Sequence, residues 1–330
     1  MKPKLKQKVE ERLDEVFDWR ELDEGLNTIY LLESDEKKLI LKERTNEMNE
    51  IEWFRSEPII YSLISNKTDV PSPEVIHTDL EGENRENIFY IMEKIDGVNA
   101  ENFKEEISQK QLEEILRQYG EILARIHNIR SFDKHGVLGA ENGELKVFEG
   151  AERWDRALHG MMSGLRDKIG RLWENPPEIH VPDRKKLAEE VPKNPEAVLV
   201  HYDNRFNNIL VDENEITGFL DWSHPKVGPR ELDLARAEYM LVDWRLTDRD
   251  DLDEKSLKDS ICEGYREVSD LERKEFEDRI RIYNYLTTLV LMGGFPNWSS
   301  DWEEEIKEEM REGLLRRYNR WREECDFLFD

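Results

Sequence analysis

The chain has 330 residues, enough for two domains or one large two-lobed unit with a buried core. Asp and Glu number 76 against 49 Lys and Arg, and the formal net charge of −27 opposes nucleic acid and anionic membrane as partners. Charged residues make up 38% of the chain, a level also met in disordered proteins, but nine Trp, ten Tyr and twelve Phe spread along it oppose disorder.

Two cysteines, Cys262 and Cys325, are too few for a disulfide framework or a four-cysteine zinc site. They fit reduced thiols in a cytoplasmic protein. No run approaches the ~18 apolar residues of a membrane-spanning helix. The basic N-terminus lacks the apolar stretch of a signal peptide. The acidity suits a salt-rich cytoplasm and a halophilic source, whereas the 22 lysines pull against that reading.

Residues 5–19 read as an amphipathic helix with Leu5, Val9, Leu13, Val16 and Phe17 on one face. The period then changes. Thr28–Leu32 and Leu39–Lys42 read as a hairpin around Glu33–Glu36, and a helix is expected over 49–65, interrupted by Pro58. Strands follow at 74–78 and 88–93. The strongest helical periodicity covers 111–128, where Leu112, Ile115, Leu116, Tyr119, Ile122, Leu123 and Ile126 share a face. A further helix is expected at 183–190, then strands at 198–200, 208–211 and 216–220. From 231 onward the pattern is helical, with a break expected at Gly293-Gly294-Phe295-Pro296. The expected sum is an α+β fold: an antiparallel-sheet unit over 1–94, a hinge at 95–97 and a helix-rich unit over 98–330.

Chemistry concentrates between the short strands. His201-Tyr202-Asp203-Asn204-Arg205-Phe206-Asn207-Asn208 has the form H-x-D-x-x-x-x-N, and Asp221 closes the apolar strand Gly218-Phe219-Leu220. This is the spacing of a phosphotransferase catalytic loop. Asp203 can take the proton of a hydroxyl nucleophile, while Asn208 and Asp221 offer the hard oxygen atoms that Mg²⁺ takes beside phosphate. A polar loop stabilised by Asp and Asn in ordinary turns is the plainer alternative for the loop alone.

These residues, with Gly228-Pro229-Arg230-Glu231-Leu232-Asp233-Leu234-Ala235, resemble the aminoglycoside phosphotransferase and choline kinase superfamily. Upstream, Gly25-Leu26-Asn27-Thr28-Ile29-Tyr30 resembles its nucleotide loop, and Tyr90–Gly97 its hinge. Leu123-Ala124-Arg125-Ile126-His127 is similar to the end of a helix in its larger lobe. The resemblance implies a two-lobed protein-kinase-like fold that transfers the γ-phosphate of ATP or GTP to a small-molecule hydroxyl with Mg²⁺. It implies Lys42 as the phosphate-binding lysine and Glu57, with Glu52 as substitute, as its partner. Asn27 and Thr28 would face phosphate, and Glu93 and Ile95 adenine. Asp203 would be the proton acceptor, Asn208 and Asp221 the metal ligands, and Asp233 a buttress of the loop. His127 and His201 read as structural.

The pattern has departures. Tyr202 stands where the superfamily has Gly, and Pro229 where it has an acidic residue. Pro58, directly after Glu57, puts the partner of Lys42 in question. For the acceptor, Trp298, Trp302, Asp301 and Asp243 suit a cationic molecule, because aromatic faces and carboxylates attract cations. The alternatives are a protein kinase, opposed by the lack of an A-P-E segment after Asp221, and a catalytically silent nucleotide-binding scaffold.

Overall fold

The structure is a computed structural model describing residues 3–22, 27–45, 51–81, 88–102, 104, 106–246 and 249–329. Helix α1 (Pro3–Leu13) precedes strands β1 (Asp18–Leu22), β2 (Thr28–Glu33) and β3 (Lys38–Glu43), helix α2 (Ile51–Lys67), and strands β4 (Val75–Asp79) and β5 (Phe89–Glu93). The strands form one antiparallel sheet in the order β1-β2-β3-β5-β4. Side chains alternate across it. Tyr30, Leu32, Leu39, Leu41, Phe89 and Ile91 pack with Leu5 and Val9 of α1. The opposite face, with Tyr90, packs against Phe54, Ile60 and Tyr61 of α2. Lys42, one residue after Leu41, therefore points toward α2.

The first helix is shorter than its pattern. Asp14 takes φ 52°, a left-handed conformation that Asp tolerates better than most residues, and the chain turns there. Phe17 reaches the α1 face from the following segment, and Val16 is exposed. Pro58 does not interrupt α2 but sits buried inside it.

The remaining elements are β6 (Val98–Asn99), α3 (Gln109–His127), β7 (His135–Glu141), β8 (Glu144–Ala151), α4 (Trp154–Leu172), α5 (Arg184–Glu190), β9 (Val198–Val200), β10 (Ile209–Asp212), β11 (Glu215–Phe219), β12 (Lys226–Gly228), α6 (Arg230–Ala237), α7 (Glu254–Arg266), α8 (Ile280–Trp298) and α9 (Glu304–Glu324). A π-helical stretch, Glu238–Trp244, continues α6. Ser108 and Gln111 close a reciprocal cap at the start of α3. Gly120 of α3 and Gly264 of α7 let the two helices approach closely, since a Cβ on either would overlap the other helix's backbone. Strands β11-β10-β6 form one small sheet and β8-β7-β12-β9 another. The fold is α+β and kinase-like, with the antiparallel sheet in the N-terminal part and the helices mainly C-terminal.

The expected break at 293–296 is absent, because α8 runs through it. Pro296 cannot donate to the carbonyl of Met292, one turn back. The indole Nε1 of Trp173 donates to that oxygen instead, at 2.8 Å. Both cysteines are buried free thiols. Among the described residues no helix is long and apolar enough to cross a membrane.

Candidate active site

Segment 201–208 links β9 to β10, and Asp221 follows β11, so the β10–β11 hairpin brings the two together. The segment is anchored from beneath by Asp233 of α6, which is fully buried. Its carboxylate accepts from the backbone N–H of His201 at 2.8 Å and of Tyr202 at 3.2 Å, and from Asn204 Nδ2 at 3.1 Å. His127 Nε2 lies 3.3 Å away and its Nδ1 is 2.8 Å from the Tyr265 hydroxyl. Burial pushes the Asp233 carboxyl up, but His127, His201 and these donors bring it below the ordinary carboxylate range. His201 Nε2 donates to the Leu220 carbonyl at 2.9 Å, tying the segment to the strand that carries Asp221. Both histidines have structural positions.

Tyr202 and Asp221 adopt φ 67° and 66°, which costs an L-residue roughly 1–2 kcal/mol each. Local bonds hold both. Asp233 binds the Tyr202 N–H, and Arg236 Nε donates to its carbonyl. The Asp221 N–H donates to the Tyr61 hydroxyl at 2.9 Å.

Asp203 directs Oδ2 to Arg205 Nη2 at 2.5 Å and to Asn208 Nδ2 at 3.1 Å. Asn208 Nδ2 also donates to the Asp203 carbonyl at 2.7 Å. With its amide nitrogen committed to Asp203, Asn208 has its oxygen to offer a cation. Asp203 Oδ1 makes no hydrogen bond among the described residues, and the side chain is partly exposed.

Lys42 Nζ sits 2.9 and 2.8 Å from the two carboxylate oxygens of Glu57, in a pair of which 7% and 1% is exposed. It also reaches Asp221 Oδ1 at 3.5 Å and Ser223 Oγ at 3.2 Å. Burial pulls the Lys42 ammonium down, and Glu57 and Asp221 more than reverse it, so the lysine stays charged. Burial pushes Asp221 up, and Lys42, Ser223 and Arg205 carry it well below the usual range. Glu57 Oε1 accepts from the Trp222 N–H at 3.3 Å, joining α2 to the Asp221 segment. Glu52 lies elsewhere, against Gly139 of β7.

The remaining expected nucleotide contacts stand along the same sheet. Asn27 is buried, and its Oδ1 has no partner among the described residues. Thr28 shares its hydroxyl with Thr45 at 3.1 Å. Gly25 and Leu26 lie outside the described residues. Glu93 ends β5, its N–H donating to the Glu74 carbonyl at 2.9 Å. Ile95 is half-buried in the link to β6. That link is tied to the β10–β11 hairpin by Thr217 Oγ1, which donates to the Asp96 carbonyl at 2.8 Å, and to the 201–208 segment by Asn99 Nδ2, which donates to the Asn207 carbonyl at 2.7 Å. Gly97, at φ 144°, passes so close to Thr217 that a Cβ would overlap its hydroxyl.

The aromatic and acidic residues expected around an acceptor do not converge. Trp298 and Trp302 pack edge to face, 5.3 Å apart and half-exposed, near the end of α8, with Asp301 exposed between them. Asp243 is ion-paired to Lys258 in a separate cleft with Glu238 and Arg273. Sequence reasoning also passed over Arg205, Ser223 and Arg236, because no spacing rule marks a residue whose role comes from folding against the loop.

The sequence model of the phosphotransferase enzyme family matches residues 18–271, a span that holds every residue of this constellation. The chain belongs to that family. By sequence, none of the curated proteins matches it. Solved structures share the fold at low identity. A thermostable mutant of aminoglycoside phosphotransferase APH(4)-Ia, in ternary complex with ADP and hygromycin B, is 15% identical, with TM-score 0.58 over 98% of this chain and 97% of that one. ADP-bound aminoglycoside phosphotransferase APH(2'')-Ib is 14% identical, with TM-score 0.58 over 97% and 99%. The ternary complex of streptomycin, ATP and APH(2'')-IIa is 13% identical, with TM-score 0.60 over 96% and 98%.

Proposed function

We propose that this family member moves the γ-phosphate of ATP or GTP to a hydroxyl of a small molecule in a Mg²⁺-dependent reaction. The observation that supports it most is the buried Lys42–Glu57 pair, which reaches Asp221 from the N-terminal sheet while Asp203 stands across the hairpin with one carboxylate oxygen unengaged. In this reading residues 1–94 form the nucleotide lobe, 95–97 the hinge and 98–330 the larger lobe. Two buried thiols suit a cytoplasmic location.

Each residue then has a task. Lys42, oriented by Glu57, holds the α- and β-phosphates. Buried Asn27 and the neighbouring Thr28 belong to the phosphate end of the cleft. Glu93 and Ile95 offer a backbone carbonyl and amide to the base. The donor set suits Mg²⁺: Asp221 is held ionised, Asn208 presents a neutral amide oxygen, and phosphates and water complete such a shell. The metal supplies neutralisation of charge that builds on the transferring group. Asp203 accepts the hydroxyl proton of the acceptor, and Arg205 and Asn208 fix its rotamer. Most of the acceleration then comes from positioning and fixed charge.

The test is direct. Mg²⁺-ATP at ~100 times its Kd should stabilise the fold by about 2.7 kcal/mol, and ADP release should rise when a panel of hydroxyl-bearing small molecules is supplied. An unchanged melting temperature at millimolar Mg²⁺-ATP would favour the silent scaffold.

A further inference from the structure

Around Tyr202, the residue before Asp203, the chain collects positive charge. Lys226, on β12, is half-buried and has no salt bridge or hydrogen bond among the described residues. Its ammonium lies 5.5 Å from the ring of Trp53 and 5.5 Å from the ring of Tyr202. Arg236 stacks its guanidinium on Tyr202 at 4.3 Å. Only 4% of Arg236 is exposed; its Nε donates to the Tyr202 carbonyl, and its buried Nη1 and the buried Tyr202 hydroxyl have no partner among the described residues. Lys168 of α4 is close enough to add its repulsion to that of Arg236, against a single exposed carboxylate, Glu149. Burial first, then Arg236 and Lys168, pulls the Lys226 amine down to about 8.

In a chain of net charge −27 this is the reverse of expectation. Several enclosed cations have carboxylates: Arg273 binds Glu238, Arg279 binds Glu231 and Lys42 binds Glu57. Unpaired buried charge is costly, and it persists where something outside the chain supplies the counter-charge. The position indicates what that is. Tyr202, whose ring both cations approach, directly precedes Asp203, and His224, ring to ring with Trp53 at 5.4 Å, lies within charge reach of both Asp203 and Lys226.

We propose that the acceptor is a small hydroxylated anion, its carboxylate or phosphate drawn to Lys226, with the charge of buried Arg236 nearby, and its hydroxyl on Asp203. This rests on the phosphotransferase reading and names its substrate class. The acceptor oxygen bonds to Pγ as the Pγ–O bond to the leaving ADP breaks, and the hydroxyl proton passes to Asp203. A cationic acceptor meets repulsion on this wall.

Binding and turnover are measured separately. Gluconate and glucose 6-phosphate serve as anionic probes, glucose as neutral, and choline and hygromycin B as cationic. Calorimetry on Asp203→Asn reads binding without chemistry, and ADP release by the wild type reads transfer. At least one anion should bind, with Lys226→Met weakening it about tenfold or more, as loss of a partly buried charge-assisted contact does, and Kd for Mg²⁺-ATP should stay the same. Ligand-free Lys226→Met should melt higher by roughly 2–4 °C, because a repelled cation is gone, whereas a merely structural lysine would melt lower on removal. The inference is overturned if neither anion binds in a Lys226-dependent way, if choline or hygromycin B is the acceptor and Lys226→Met is indifferent, or if Lys226→Met weakens ATP instead. Lys226-dependent anion binding with no ADP release from any probe would count against the phosphotransferase reading while the anion site stands.

Discussion

Lys42→Met isolates the electrostatics of the centre. The substitution keeps the length of the side chain and removes a buried charge 2.8 Å from Glu57 and 3.5 Å from Asp221. With an effective dielectric constant of ~20, those attractions are worth about 6 and about 5 kcal/mol before the cost of desolvation. Removing one partner of a buried pair typically leaves a net loss of about 3–5 kcal/mol. That is a large share of the ~5–15 kcal/mol of a folded domain. Urea unfolding should therefore show a midpoint lower by roughly 1–2 M if m is near 3 kcal/mol/M. The loss should depend on pH. Without Lys42, Glu57 and Asp221 face each other uncompensated, and the Glu57 carboxyl, already pushed up by burial, is pushed up further. A group with its folded pKa above its unfolded one stabilises the fold below the unfolded value and loses that contribution as pH rises through the folded one. The deficit of Lys42→Met should thus be smallest near about pH 4 and widen toward neutrality. Adding Glu57→Gln should recover most of the stability and none of the nucleotide binding. A single variant that unfolds within ~0.5 kcal/mol of wild type at pH 7, or a deficit that shrinks as pH rises, would refute the reasoning.

Asp203→Asn should lower kcat by about 10²–10⁴-fold with little change in Mg²⁺-ATP affinity, read by ADP release and calorimetry. Asp221→Asn should instead weaken Mg²⁺-ATP binding together with turnover, and a Mg²⁺ titration should recover part of it; the opposite pattern would mean that the two roles are exchanged. Asp233→Asn should cost about 3 kcal/mol or more in urea unfolding, because a buried charged acceptor of three hydrogen bonds is neutralised. As the folded Asp233 pKa is depressed, its contribution is present above the unfolded value and lost as pH falls, so the gap to wild type should close below about pH 4. Raising KCl from tenths molar to molar should raise the melting temperature by screening the excess carboxylates, and a flat or falling trend would remove the halophilic reading.

The sequence showed most clearly those elements whose own periodicity decides them. Helix α3 and the β2–β3 hairpin stand close to where their patterns put them, since each buries a continuous face. The strand pair β7–β8 and helix α4 were not visible. Residues 135–151 alternate only weakly, their polar side chains facing out of a sheet completed by β9 and β12, which begin 47 and 75 positions after β8 ends. Pro58 and the 293–296 segment misled for a related reason. Proline reports a lost hydrogen bond, but Trp173, over a hundred residues away, supplies the donor for Met292. In the site, Asp203 and Asn208 share one short motif and Asp221 follows it closely, whereas Lys42 and Glu57, on other elements, were expected only from the resemblance. The residues that set their geometry, Arg205, Ser223 and Arg236, became visible only through their contacts.

Tyr202 joins these two levels. At φ 67° a glycine would be free of strain, and a tyrosine pays for its presence with about 1–2 kcal/mol. Asp233 and Arg236 grip both sides of its peptide, so the loop retains its path despite the side chain. The ring is then fixed where glycine would leave a gap, with Arg236 at 4.3 Å and Lys226 at 5.5 Å from its centre. An aromatic face partly offsets the burial of cations that lack carboxylates. The departure from the motif and the unmatched positive charge are therefore one feature. Replacing Tyr202 by glycine would relieve the backbone yet leave Lys226 and Arg236 unshielded, so strain at the loop is the physical condition for keeping two cations beside Asp203.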